Sequence, residues 1–160
     1  MNLNRLQNRA ARYCARGEKA AVEVNRKIYE WGGSPDQAAE IKDYLTKHNF
    51  LNEKRFAEAY TLDKFRFNKW GKIKIKNHLL AYEIDEMIIE ESLALLDPTS
   101  YHNVIIKLCK DKIRSLRANE PSTLKVRLMK FLLQKGFEIE TITPLVQHQL
   151  KSVSESATLK

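Results

Sequence analysis

The sequence predicts an all-α protein: three tandem three-helix repeats forming an elongated, curved array. Three observations carry that prediction. Only five glycines and four prolines occur in 160 residues, too few for a turn-rich β sandwich. Apolar residues recur at i, i+3 and i+4 through most of the chain, the spacing of helices with one buried face. The middle helices can also be laid over one another: Val24, Ile75 and Leu128 correspond, as do Ile28, Leu79 and Leu132, at offsets of 51 and 53 residues. Gly32, Glu83 and Gly136 close the three copies at the same place. A repeat of this length signals stacked modules, each covering its neighbour's apolar face.

The first repeat, residues 1–48, opens with a helix from Arg5 to Arg16 that carries Leu6, Ala10, Tyr13 and Cys14 on one side. Gly17 ends it. Val24, Ile28 and Trp31 then form an i, i+4, i+7 stripe, and Gly32-Gly33 stops that second helix. Ser34 supplies an N-cap with Pro35 at the first helical position, and Ala38, Ile41, Tyr44 and Leu45 give the third buried face. Asn49 suits the left-handed turn that ends it.

The second repeat, residues 49–97, is central and basic. Asn52 is placed to cap a long helix in which Phe56, Ala59, Tyr60 and Phe67 supply apolar and aromatic bulk. Trp70-Gly71 breaks it. The next helix carries Ile73, Ile75, Leu79, Leu80 and Tyr82, with Lys74, Asn77, His78 and Ala81 on the opposite, solvent side. A third helix points Ile88, Ile89, Leu93 and Leu96 inward and Glu86, Glu90 and Glu91 outward. The third repeat, residues 98–150, starts at Asp97-Pro98 and runs through Val104, Ile105, Leu108, Cys109, Ile113 and Leu116. A turn at Glu120-Pro121-Ser122 leads to Leu124, Leu128, Phe131 and Leu132. A last short helix holds Ile139, Ile142, Leu145 and Val146, with Pro144 near enough its start to be tolerated. Periodicity then fades, and residues 151–160 are expected to be a disordered tail.

A net charge of +8 and a pI near 9.5 favour a polyanionic partner. The positive charge is concentrated: Lys64, Arg66, Lys69, Lys72, Lys74 and Lys76 follow one another with no acidic residue between Asp63 and Glu83. Lysines neutralise phosphates without reading base sequence, and a neighbouring aromatic can stack on a base. For Trp70 the packing role between two helices is favoured over stacking. Cys14 and Cys109 have no metal-ligand spacing and read as reduced core residues. His48, His78, His102 and His148 form no HExxH or Cys-paired set, and no phosphate-cradling glycine loop is present. No residue set argues for an enzyme, and no cofactor or metal is implied. No segment approaches ~18 consecutive apolar residues, which excludes a transmembrane helix; the cytoplasm is the expected compartment.

FLNEKRFAEAY, followed after the basic stretch by GKIKIKNHLLAYEI, resembles the central signature of the RecX family of recombinase regulators. That pattern is roughly G-L-[LI]-D-D-x-R-F-A-x-x-Y, then G-x-x-[RK]-I-x-x-E-L-x-x-[RK]-G-[IV]. Leu51, Arg55, Phe56, Ala57 and Tyr60 match its first half; Gly71, Lys74, Ile75, Leu79 and Ile84 match its second. RLMKFLLQKGF, Arg127 to Phe137, is similar to the family's R-x-x-x-[FL]-L-x-x-[RK]-G-F element. Departures are Asn49 for the first Gly, Asn52 for an Asp, His78 for a Glu and Glu83 for the closing Gly, which puts the sharp turn there in doubt.

The resemblance implies a non-enzymatic regulator, mainly an inhibitor, of the RecA recombinase. It would bind in the groove of the RecA filament on single-stranded DNA, with duplex DNA as a further ligand, and act as a monomer. Recombination, ATP hydrolysis and coprotease activity in DNA repair and the SOS response would be modulated. The residues expected to meet filament or nucleic acid are Lys64, Arg66, Lys69, Lys72, Lys74, Lys76, Arg127 and Lys130. Two other readings stay open: a helical protein that binds DNA without a recombinase, and a helical scaffold for an acidic protein.

Overall fold

A computed structural model of the chain describes residues 2–116 and 120–158. Among the described residues all regular structure is α-helical, in nine helices. The first repeat holds α1 (Leu3–Ala15), α2 (Ala21–Glu30) and α3 (Pro35–Lys47). The second holds α4 (Glu53–Asn68), α5 (Lys72–Ala81) and α6 (Glu86–Leu93), and the third α7 (Pro98–Ser115), α8 (Pro121–Gln134) and α9 (Ile139–Thr158). The expected all-α fold of three-helix repeats is therefore what the chain adopts.

Local chemistry explains the helix starts. Ser34 and Gln37 form a reciprocal capping box ahead of Pro35. Asn52 Oδ1 accepts the Arg55 N–H at 2.9 Å, and Asp97 Oδ2 accepts the Ser100 N–H at 2.9 Å. Both caps satisfy donors that the first helical turn leaves without a partner.

The repeat extends to hydrogen bonds at the end of each middle helix. Gly33, Ile84 and Phe137 donate to the carbonyls of Ile28, Leu79 and Leu132 at 2.8, 3.1 and 3.2 Å. These are the six-residue closures of a Schellman motif, whose hinge residue takes a left-handed conformation. Gly32, Glu83 and Gly136 have φ of 89°, 60° and 94°. The turn that Glu83 put in doubt is thus made, by a residue with a Cβ. Asn49 also adopts the expected left-handed conformation, with φ 63°.

By contact density the chain divides into two compact units, Met1–Thr61 with Asn77–Leu93, and Leu62–Lys76 with Ala94–Lys160. The division runs through α4 and α5. In the first unit α1, α2 and α3 pack on one another, around Leu6, Ala10, Val24, Ile28, Ile41 and Leu45. Burying a Leu or Ile side chain of this kind contributes about 1.5–3 kcal/mol. Arg55 ties this unit together: its Nε donates to Glu18 Oε1 at 2.5 Å and its Nη2 to the Asn49 carbonyl at 2.8 Å. The buried Thr61 and Ser92 hydroxyls meet at 3.0 Å. Ser92 spends its proton on the Ile89 carbonyl at 2.7 Å, so Thr61 is the donor between them.

In the second unit α7, α8 and α9 pack on one another. Tyr101, Ile105, Cys109, Leu124, Leu128, Leu132, Phe137, Ile142 and Val146 are buried there. Cys14 and Cys109 are free, buried thiols, as expected.

Four local expectations need correction. Ile73 and Leu80 are 46% and 40% exposed, while Ile75 and Leu79 are fully buried. Apolar residues surround α5 on several sides, so periodicity could not choose its inner face. Phe67 is 72% exposed and adds nothing to the core. Lys74, expected on the solvent side, is half-buried. Finally α9 continues to Thr158, through most of the stretch expected to be disordered. Gln149 is buried, which carries the packed face beyond Val146, and extending a formed helix costs far less than starting one. Residues 159 and 160 of that stretch lie outside the described residues.

Candidate nucleic-acid and filament interface

All eight residues expected to meet filament or nucleic acid fall in the second unit. Six of them lie on the end of α4, the linker after it and the start of α5. That linker is short and strained: Lys69 takes a left-handed φ of 57° and its Nζ donates back to the Arg66 carbonyl at 2.5 Å.

The linker is held from the α8–α9 turn by backbone. Gly71 N–H donates to the Lys135 carbonyl at 2.7 Å and Ile73 N–H to the Gly136 carbonyl at 2.9 Å. Lys135 Nζ adds a third bond, to the Asn68 carbonyl, at 3.1 Å. These bonds satisfy the carbonyl that ends α4 and two N–H groups at the start of α5, donors and acceptors that helix termini otherwise leave to water. Such an approach leaves no space for a Cβ on either glycine: one on Gly71 would lie 2.4 Å from Gly136 backbone atoms, and one on Gly136 2.3 Å from Lys74 Cβ.

On this support the cations are arranged around aromatic rings. Lys64 Nζ and Lys74 Nζ lie 5.0 and 4.5 Å from the centroid of the Trp70 ring. Trp70 therefore packs, as favoured from sequence, and what it packs against includes two ammonium groups. The negative face of an indole attracts them, which pins the lysine stems and presents their charge from fixed positions. Lys72 makes a similar contact with Tyr101, Nζ 5.1 Å from the ring centroid, and its N–H donates to the Tyr101 hydroxyl at 3.0 Å. That hydroxyl donates in turn to the Glu138 carboxylate. Burial, then the Glu138 hydrogen bond, pushes the Tyr101 pKa well up, so the group stays a neutral donor.

Arg66 is exposed and Lys69 and Lys76 are half-buried. Arg127 and Lys130 are exposed on α8, a helix with no acidic residue. Sequence reasoning missed Lys135, Lys112 and Tyr101. Lys112 and Lys135 lie 4.8 and 5.9 Å from the Phe131 ring centroid. Lys135 occupied a basic position of the quoted RLMKFLLQKGF element, which was a usable signal. For Tyr101 there was none. Among the described residues, no group of three or more His, Cys, Asp or Glu is placed to hold a metal ion. No helix there is long and apolar enough to cross a membrane.

Comparison with known proteins gives matches in both sequence and fold. The family model described as RecX, second three-helix domain, matches residues 52–93, which span α4 to α6. The "Regulatory protein RecX" of Clostridium botulinum (strain Eklund 17B / Type B) is 29% identical over 84% of this chain and 64% of its own length. That of Clostridium perfringens (strain 13 / Type A) is 28% identical over 88% of this chain and 66% of its own. The chain thus spans somewhat under two thirds of the length of these relatives. The crystal structure of RecX from Lactobacillus salivarius superposes with a TM-score of 0.82 at 23% identity, covering 91% of this chain and 95% of that one. Another solved RecX regulatory protein gives 0.83 at 17% identity, over 91% of this chain and 71% of that one. Through the matched second domain and the curated relatives the chain is similar in sequence to RecX regulatory proteins, and it shares the fold of the solved ones.

Proposed function

We propose that this chain regulates a RecA recombinase, mainly as an inhibitor, by binding the RecA filament on single-stranded DNA. Through that contact it modulates recombination, ATP hydrolysis and coprotease activity, acting as a monomer in the cytoplasm and without catalytic chemistry of its own. The observation that carries the reading is the acid-free cationic ridge from Lys64 to Lys76, two of whose lysines are held over Trp70. Fixed cations lose less conformational entropy on meeting a phosphate than free ones do, which favours them as a polyanion contact. The similarity to RecX regulatory proteins supports the recombinase as the protein partner.

The test is ATP hydrolysis by RecA assembled on poly-dT, with the chain titrated in, beside its binding to poly-dT alone. Hydrolysis should fall as the chain is added. Tight binding to free poly-dT with no effect on hydrolysis would replace this reading with the second one, a direct DNA-binding protein, for which the ridge alone suffices. Binding to neither would favour a scaffold for an acidic protein.

A further inference from the structure

α8 buries Leu124, Leu128 and Leu132. The opposite side of the same helix is apolar as well. Val126 is 67% exposed and Leu133 44% exposed, and Met129 stands between them at helical spacing, half-buried. Residues three and four apart are surface neighbours on a helix, so the three make one continuous row. Together with Lys125, Lys130 and Gln134 they line a shallow concavity of about 710 Å³. At 100° per residue Lys125 falls on one side of the row and Lys130 on the other, so the apolar strip lies between two cations.

A single exposed hydrophobe needs no explanation. Met87, 71% exposed on α6, is such a case, with Glu86, Glu90 and Glu91 around it in sequence. The α8 row differs in having three apolar members in register and basic flanks. Phosphate backbone would gain nothing from Val126, Met129 or Leu133, whereas a helix with an apolar stripe and carboxylates beside it would fit both the row and its flanks. Resting on the function proposed above, we infer that the outer face of α8 is a protein-docking surface for an acidic amphipathic segment of the filament protein. The Lys64–Lys76 ridge then serves phosphates while α8 serves protein.

The experiment uses the full chain with Val126→Glu and Leu133→Glu together, and a milder Val126→Gln, Leu133→Gln pair. Both should unfold in urea close to the parent, since Val126 is two-thirds exposed and Leu133 nearly half exposed, and neither belongs to the buried Leu124, Leu128 and Leu132 face. The Glu pair should need at least roughly tenfold more protein to halve ATP hydrolysis by RecA on poly-dT, the loss of about 1.4 kcal/mol of binding. Affinity for free poly-dT should stay within about twofold, because cations carry that term. The Gln pair should fall between parent and Glu pair.

Undiminished inhibition by the folded Glu pair would overturn the inference. So would an equal loss of free poly-dT binding, which would make the face a nucleic-acid surface. A fall in mass by light scattering, from dimer in the parent to monomer in the variant, would assign the face to a second copy and overturn it too. Failure of the parent itself to inhibit would remove the proposed function and this inference with it, and is read from the parent alone.

Discussion

Gly71 and Gly136 meet backbone to backbone: Gly71 N–H reaches the Lys135 carbonyl at 2.7 Å, and a Cβ on Gly71 would sit 2.4 Å from the Gly136 carbonyl carbon. The contact fastens the α4–α5 linker, which carries Lys69 and Trp70, to the α8–α9 turn. The cationic ridge therefore depends on two residues that carry no charge. Gly32 is a natural control for Gly136. Both have left-handed φ, 89° and 94°, but a Cβ on Gly32 would meet nothing within 4 Å. Gly32→Ala should cost only the left-handed strain, about 1–2 kcal/mol. Gly136→Ala should cost that and a further 1–3 kcal/mol of overpacking. Equal urea midpoints for the two variants would mean that the linker yields to a methyl group.

Glu83 supplies the mirror test. It holds the same hinge place as those glycines, with φ 60° and a side chain. Glu83→Gly should stabilise the chain by about 1 kcal/mol, by removing left-handed strain. A destabilised Gly variant would show that the Glu83 side chain contributes more than its backbone strain costs.

Helix order, caps and most core residues were legible in the sequence because each rests on short-range rules. Ser34-Pro35, Asn52 and Asp97-Pro98 announce their caps, and the Val24, Ile75, Leu128 series repeats with its breaks. α5 defeated the same reasoning. Its apolar residues are spread so widely that Ile73 and Leu80 looked as inward as Ile75 and Leu79. The basic run was legible as charge, but not the rings under it: that Lys64 and Lys74 share Trp70, and that Lys72 lies on Tyr101, follows from contacts between residues up to 29 apart. Gly71 and Gly136 each read as helix punctuation, and nothing local to either showed that they touch.

Phe56 is 5% exposed, and its ring centroid lies 5.7 Å from that of Tyr60 and 5.3 Å from that of Tyr82. Phe56→Ala should cost about 3–5 kcal/mol, from lost burial and the cavity left behind. Thermal or urea unfolding measures it, and a midpoint like the parent's would contradict the packing.

Alkaline pH should weaken the fold. Burial pushes the thiols of Cys14 and Cys109 up to about 11 from 9.0, and burial pushes Tyr60 up to about 12 from 10.0. Between the unfolded and folded pKa values the unfolded chain has released protons that the folded chain keeps. It binds fewer protons there, so stability falls as pH rises. Unfolding free energy should be flat in this respect to about pH 8.5 and decline from about pH 9 to 11. Cys109→Ala should make the decline shallower, whatever the cavity does to absolute stability. An identical slope with and without Cys109 would assign the alkaline loss to other groups.

The last expectation separates charge that is free to move from charge that is packed. Arg66 is exposed on α4, where surface substitutions usually alter stability by no more than about 0.5 kcal/mol. Arg66→Gln should leave unfolding almost unchanged. If Arg66 meets one phosphate, the slope of log affinity for poly-dT against log salt should become shallower by about 0.7. Lys74→Gln should change both properties. Its Nζ lies 4.5 Å from the Trp70 centroid and its Cβ lies where Gly136 has no room for one of its own. Loss of the cation from the indole face removes about 0.5–1 kcal/mol, and the Trp70 ring that also carries Lys64 loses one of its cationic contacts. Binding should then fall by more than one phosphate contact explains, because the remaining cations are less firmly placed. Equal effects of Arg66→Gln and Lys74→Gln on both stability and salt slope would mean that the Trp70 platform adds nothing to binding. A parent whose affinity does not vary with salt would leave the ridge a solvated face, and recognition would then rest on protein contacts alone.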